Sequence, residues 1–148
     1  MAFTWTTRGI YYLLNTAISS STDIRQAVFT GTVPAQATIR NWDFLSDAIA
    51  DASSAEAVAS GYARADLASV TLTEVDASDN VTLTAAAPVY TSVAAGETWT
   101  FVAYYVEAAT DATRTLLGVD APASSQVTNG GNITGPALSA TFAPASGQ

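Results

Sequence analysis

Ten consecutive residues, Thr98 to Glu107 (T-W-T-F-V-A-Y-Y-V-E), constrain this chain more than any other feature. They are mostly β-branched and aromatic, without Gly, Pro or Lys, a composition that selects extended backbone. Alternation along a strand puts Trp99, Phe101, Ala103 and Tyr105 on one face, and Val102, Tyr104 and Val106 on the other. Both faces are apolar, whereas a half-exposed strand shows one polar face. The segment therefore reads as the central strand of a packed sheet, or as a strand whose second face another subunit covers. Tyr104 and Tyr105 are adjacent and must enter different layers. The second of those layers is the expected seat of a partner subunit.

The rest of the chain supplies the elements around that strand. Residues 1–7 read as a flexible arm or edge strand carrying Phe3 and Trp5. Ile10, Leu13, Leu14, Ala17 and Ile18 follow one helical stripe, which predicts a helix over Arg8–Ile18. Ile24–Thr30 reads as a strand ending at Gly31. Asn41 offers an N-cap to Trp42, Leu45 and Ile49, and Ser53 with Glu56 has capping-box spacing; residues 41–60 are thus expected to form two short helices or one broken one. From Tyr62 onward the period becomes two. Val70 and Leu72 alternate with threonines, as do Val81 and Leu83, and residues 76–80 (D-A-S-D-N) turn between them in an expected hairpin. Short strands are expected at Pro88–Val93, Thr113–Asp120 and Ser139–Phe142. Two more, at Ser125–Thr128 and Asn132–Thr134, flank the turn Asn129-Gly130-Gly131. Strands at this spacing predict one mainly β domain over residues 1–148. Its antiparallel sheets are expected in a β-sandwich or jelly-roll-like arrangement, with an N-terminal helix, short inserted helices and a mobile tail at 143–148.

Charge narrows the function classes. Thirteen acidic residues against five arginines and no lysine give a net charge of −8, which offers phosphate backbones and anionic membranes no basic patch. Without cysteine or histidine there is no disulfide, no thiolate and no imidazole for metal or proton transfer. No apolar run is long enough to span a bilayer, and no secretion signal is visible at the N-terminus. Charged residues make up only 12% of the chain, which points to a surface covered in an assembly.

Candidate reaction centres fail residue by residue. Asp76, Ser78 and Asn80 begin like a calcium loop, but Val81 and Ala87 stand where its glycine and bidentate carboxylate belong. The carboxylate pairs Glu74 with Asp76 and Asp43 with Asp47 lie on a turn and at a helix start, where acids serve other purposes. Asn80-Val81-Thr82 and Asn132-Ile133-Thr134 match glycosylation triplets by coincidence. No catalytic, cofactor-binding or metal-binding residue emerges. The tryptophans at 5, 42 and 99 and the tyrosine pairs at 11–12 and 104–105 read as core and subunit-interface packing, rather than as platforms for sugars or bases.

Three segments also carry a resemblance: Gly61-Tyr62-Ala63-Arg64, then Trp99–Tyr105, then Leu116-Leu117-Gly118-Val119-Asp120. Their order resembles a family of small virion proteins from the structural gene modules of tailed bacteriophages. In that family a G-Y-x-R segment, an aromatic-led strand of the A-R-Y-A-V-L-Y kind and an L-I-G-Y-V-D strand follow one another. Phe101 or Val102 stands here in place of that family's arginine. The resemblance implies a non-enzymatic structural component present in many copies, without cofactor. The favoured expectation is a capsid cement or decoration protein on the outer surface of the virion, made in the host bacterial cytoplasm. It would bind the major capsid protein and itself as a trimer or dimer. A head–tail adaptor, a tail component or a receptor-binding β-sandwich is the alternative. The contact residues expected on this reading are Phe3, Trp5, Trp99, Phe101, Tyr104 and Tyr105.

Overall fold

The computed structural model describes residues 3–6, 18, 22–75 and 80–142, and the side chains of all of these except 74 and 75. The expected helix over Arg8–Ile18 lies outside the described residues apart from Ile18, and so do the turn at 76–79 and the tail at 143–148. The chain is mainly β, as expected. One antiparallel sheet is formed by β1 (Thr4–Trp5), β2 (Ile24–Gly31), β3 (Ser54–Glu56), β4 (Ala65–Asp66), β8 (Thr98–Val106), β9 (Leu116–Asp120) and β10 (Gln126–Val127). Its order is β1-β9-β8-β2-β3, with β4 beside β3 along β2 and β10 paired to the start of β8. Against one face lies a three-stranded sheet of β5 (Thr71–Val75), β6 (Asn80–Ala85) and β12 (Leu138–Phe142), ordered β12-β6-β5. A two-stranded ribbon of β7 (Val89–Tyr90) and β11 (Ile133–Thr134) joins it. The other face is covered by α1 (Gln36–Ile39), α2 (Leu45–Ala50) and Trp42 between them.

β8 is the central strand, and its own chain encloses it on both faces. Val102 and Tyr104 pack toward the smaller sheets with Ile24, Val28, Leu83 and Leu138. Phe101, Ala103 and Tyr105 pack toward the helices with Phe29, Ile39 and Leu45. The layer expected to receive a partner subunit is thus filled by α1 and α2. Trp99 departs from simple alternation. The β2–β8 register shifts between Phe29↔Phe101 and Thr30↔Trp99, so Thr100 is an extra residue. That bulge turns Trp99 into the layer of Val102 and Tyr104. A second register shift, between the Tyr104↔Gly118 and Tyr105↔Leu116 pairs, leaves Leu117 as the extra residue, so that Leu117 packs in the layer of Tyr104 and Leu116 in that of Tyr105.

Of the arm and the edge strand read at residues 1–7, Thr4–Trp5 is the edge strand: these residues pair with Val119 and Gly118, and Thr6 N donates to Leu117 O at 3.0 Å. The helices expected over residues 41–60 are corrected. Ser54–Glu56 is a strand, not the second helix, because it pairs with Phe29–Gly31 and the Glu56 carboxylate is taken by Arg64 rather than by a helix start. The helix that does form is opened by Asp47, whose carboxylate accepts from the backbone N–H of Asp43 at 2.7 Å and of Phe44 at 2.9 Å. β10 and β11 flank the Asn-Gly-Gly turn as expected, and each pairs elsewhere, β10 with β8 and β11 with β7.

Candidate functional site

Arginine is this chain's only cationic side chain, and three of the five converge at one end of the helix-covered face. Arg25 stands on β2 directly between Asp66 of β4 and Tyr105 of β8. Its Nε lies 2.6 Å from Asp66, 3.2 Å from Asp23 and 3.4 Å from Glu107. Arg64 holds Glu56 through a two-pronged contact, Nε to Oε1 and Nη2 to Oε2, both 2.7 Å. The same guanidinium grips Asp111, Nη1 to Oδ1 at 2.5 Å and Nη2 to Oδ2 at 3.1 Å. Arg114 shares that Asp111 at 2.6 Å and binds Glu107 at 2.5 Å. Tyr105 lies between them, with the Arg64 and Arg114 guanidinium carbons 5.9 and 5.8 Å from its ring centroid.

The electrostatics follow from these pairings. Hydrogen bonds from Arg114 hold the Glu107 carboxyl below its usual range, and those from Arg64 do the same for Asp111. Burial pushes the Tyr105 phenol up to about 12, so it stays neutral. Its hydroxyl is buried without a hydrogen-bond partner. Each guanidinium is engaged by carboxylates, and the cluster's chemistry is that of a clamp. Leu45 N donates to Arg114 O, Ser46 N to Asp111 O and Leu116 N to Asp43 O, so the same loop that carries Asp111 and Arg114 also holds α2. The clamp joins the helical cover to the sheet.

The Gly61-Tyr62-Ala63-Arg64 segment has a structural role at every position but Ala63. Gly61 has φ +87°, and a Cβ there would sit 2.5 Å from the Ser92 carbonyl oxygen. β3 and β4 leave a gap beside Val28 on β2. The Tyr62 hydroxyl fills it, accepting from Val28 N at 3.0 Å and donating to Glu56 at 3.0 Å. The Tyr62 ring meets Trp99 edge-on at 5.8 Å. Arg64 then enters the clamp.

The residues expected to meet a partner are distributed otherwise than the alternation predicts. Trp99, Phe101, Tyr104 and Tyr105 are at most 4% exposed and belong to the interior of this chain, so they present no contact face. Phe3 and Trp5 are half-buried. Phe3 packs on Trp5 and Tyr104, and the Trp5 Nε1 donates to Thr141 O of β12 at 3.4 Å. The exposed large apolar side chains among the described residues are aliphatic, led by Val58 at 86% and Val127 at 64%. Both adjoin Glu97, whose carboxylate accepts from Val58 N and from Trp99 Nε1. Of the other candidates, Asn132 accepts from Ser92 N, and Asp47 serves the helix start. Two open grooves remain. One, of about 350 Å³, runs between Gly61–Asp66 and Pro88–Thr91, and one of about 240 Å³ lies between Pro122–Gln126 and Thr134–Pro136.

Among the described residues no group of three acidic side chains is placed to hold a metal ion, and no helix is long and apolar enough to cross a membrane. Comparison with family models, curated proteins and solved structures gives no match. The clamp itself escaped the sequence reading because its paired members lie far apart along the chain, as Arg25 and Glu107 or Arg64 and Asp111 do. The usable signal was the scarcity of cations: each buried arginine in a lysine-free acidic chain must find a carboxylate.

Proposed function

We propose that this chain is a structural protein of a tailed-bacteriophage virion, a capsid cement or decoration protein that bridges subunits of the major capsid protein. One observation carries the reading. The three segments behind the family resemblance are neighbours in space and all serve the frame. Tyr62 packs on Trp99, Arg64 sits over Tyr105, and Gly118 pairs with Tyr104 beneath Phe3. The residues that carry the resemblance therefore form a scaffold, as suits a protein whose work is to bind and brace. The exposed aliphatic positions Val58 and Val127 supply apolar area for a shell contact, at about 25 cal/mol per Å² before association costs. Many copies on one lattice multiply a modest contact through avidity.

Counting copies in purified particles by quantitative mass spectrometry tests the reading. Hundreds of copies on the shell, and particles that lose heat resistance when the chain is stripped off, are the expected result. A few copies at a single vertex would assign the chain to an adaptor or tail instead.

A further inference from the structure

The three-stranded sheet ends one strand too early at β5. On its core-facing side Leu72 is in register with Leu83 and, through it, with Ala140. Leu83 is 1% and Ala140 0% exposed, but Leu72 is 39% exposed. The apolar row runs out of cover at its last strand. β5 has β6 as its one strand neighbour among the described residues. The far edge of the same sheet, β12, differs, because the Trp5 indole reaches the Thr141 carbonyl there.

The outer face of this sheet is unusual for so acidic a chain. Thr71, Thr84 and Ser139 form one cross-strand row, and Thr73, Thr82 and Thr141 form the next. Thr71 and Thr84 hydroxyls lie 2.6 Å apart, and those of Thr82 and Thr141 lie 3.3 Å apart. No charged side chain stands in these rows. Unpaired edge strands in monomers carry charges, Pro or a bulge against further pairing; T-L-T-E-V has no Pro, and Glu74 is its one charge.

We propose that β5 pairs with β5 of a second copy, antiparallel about a two-fold axis at Thr73, giving one six-stranded sheet. The strand is self-complementary in this register. Thr73 meets the partner's Thr73, Thr71 meets the partner's Val75, and β-branched pairs of this kind are favourable cross-strand neighbours. Leu72 lies opposite the partner's Glu74 in this register. The contact is isologous, as a two-fold requires. It stands apart from the shell reading and is tested on the isolated chain.

Thr73→Cys is the test, in a chain that has no other cysteine. Mild oxidation is expected to give a covalent dimer at twice 15.2 kDa, while Ser139→Cys on the same face stays monomeric. Sedimentation of the unmodified chain is expected to show a monomer–dimer equilibrium. Leu72→Glu, which sets an acid opposite the partner's Glu74 at both ends of the pairing, should weaken it about tenfold and leave the far-ultraviolet circular dichroism spectrum unchanged. Equal cross-linking of the two cysteine variants overturns the proposal. So does a chain that stays monomeric to about millimolar concentration. If β5 amides become protected from exchange only on the shell, the edge belongs to a foreign strand and the self-pairing is wrong.

Discussion

The aromatic ring of Phe3 lies directly against the backbone of Gly118, in the space that any side chain at 118 would need. An added Cβ would collide with two ring carbons of Phe3 and come within 2.6 Å of the Thr4 carbonyl oxygen. Gly118 is thus the seat on which the first strand is fastened to β9. Gly118→Ala is expected to destabilise the fold by about 1–3 kcal/mol through overpacking. Chemical denaturation measures it. In the double variant with Phe3→Ala the two losses should fall short of their sum, since both act on one contact. Strict additivity would mean that Phe3 does not occupy this seat.

Arg64 binds two carboxylates with a planar fork, and a lysine cannot reproduce that geometry. Arg64→Lys is therefore expected to cost stability almost as Arg64→Gln does. The side chain is 23% exposed, so the loss is put at about 1–2 kcal/mol rather than the larger figure for a fully buried pair. Because Asp111 sits in the loop that holds α2, limited proteolysis should also cut residues 107–114 faster. Full rescue by lysine would show that the fork is not used.

Tyr105 buries a hydroxyl that nothing satisfies, and an unpaired buried polar group is unfavourable. Tyr105→Phe keeps the ring between Arg64 and Arg114 and removes that group. A thermal melt is expected to show unchanged or higher stability, by up to about 1 kcal/mol. A clear loss would mean that the hydroxyl has a partner after all.

How much of this was legible beforehand differs by element. The central strand, β2, the β5–β6 hairpin and β12 were all readable, because β-branched and alternating residues encode extended backbone locally. The side on which Trp99 lies was not. The Thr100 bulge is created by the register with Phe29 and Thr30, and the composition of β8 carries no trace of it. The S-x-x-E spacing at Ser53 and Glu56 misled for a related reason: Glu56 answers to Arg64 and Tyr62, and the tertiary bond outweighs the local one. Likewise the second apolar face of β8 signalled that a cover exists, but periodicity could not say that α1 and α2 supply it.

Stability should be flat across neutral pH and fall in acid. Glu107 and Asp111 are held below their ordinary values by arginine. Burial acts to raise Glu97, but hydrogen bonds from Trp99, Val58 and Ala59 outweigh it and leave this acid depressed too. Groups depressed in the folded state contribute stability that is complete above their unfolded values, about 3.9 for Asp and 4.3 for Glu, and that is lost as pH falls through the folded ones. Burial raises Asp120, which has the opposite sign and favours the fold in acid. Hydrogen bonds from Ser53 lower Asp51 as well, and these four depressed acids outnumber it. Thermal melts from about pH 8 to pH 2 are expected to hold level to about pH 5 and then drop. A step near neutrality would contradict this, since the chain has no histidine to produce one.

The indole of Trp5 laid beside β12 has a consequence for how large an assembly can grow. A sheet with two open margins can add strands at both and lengthen without limit. Here the chain's own tryptophan takes up the Thr141 carbonyl on one margin. Pairing through the other consumes it, so growth by this route halts at two copies instead of running on into a fibre.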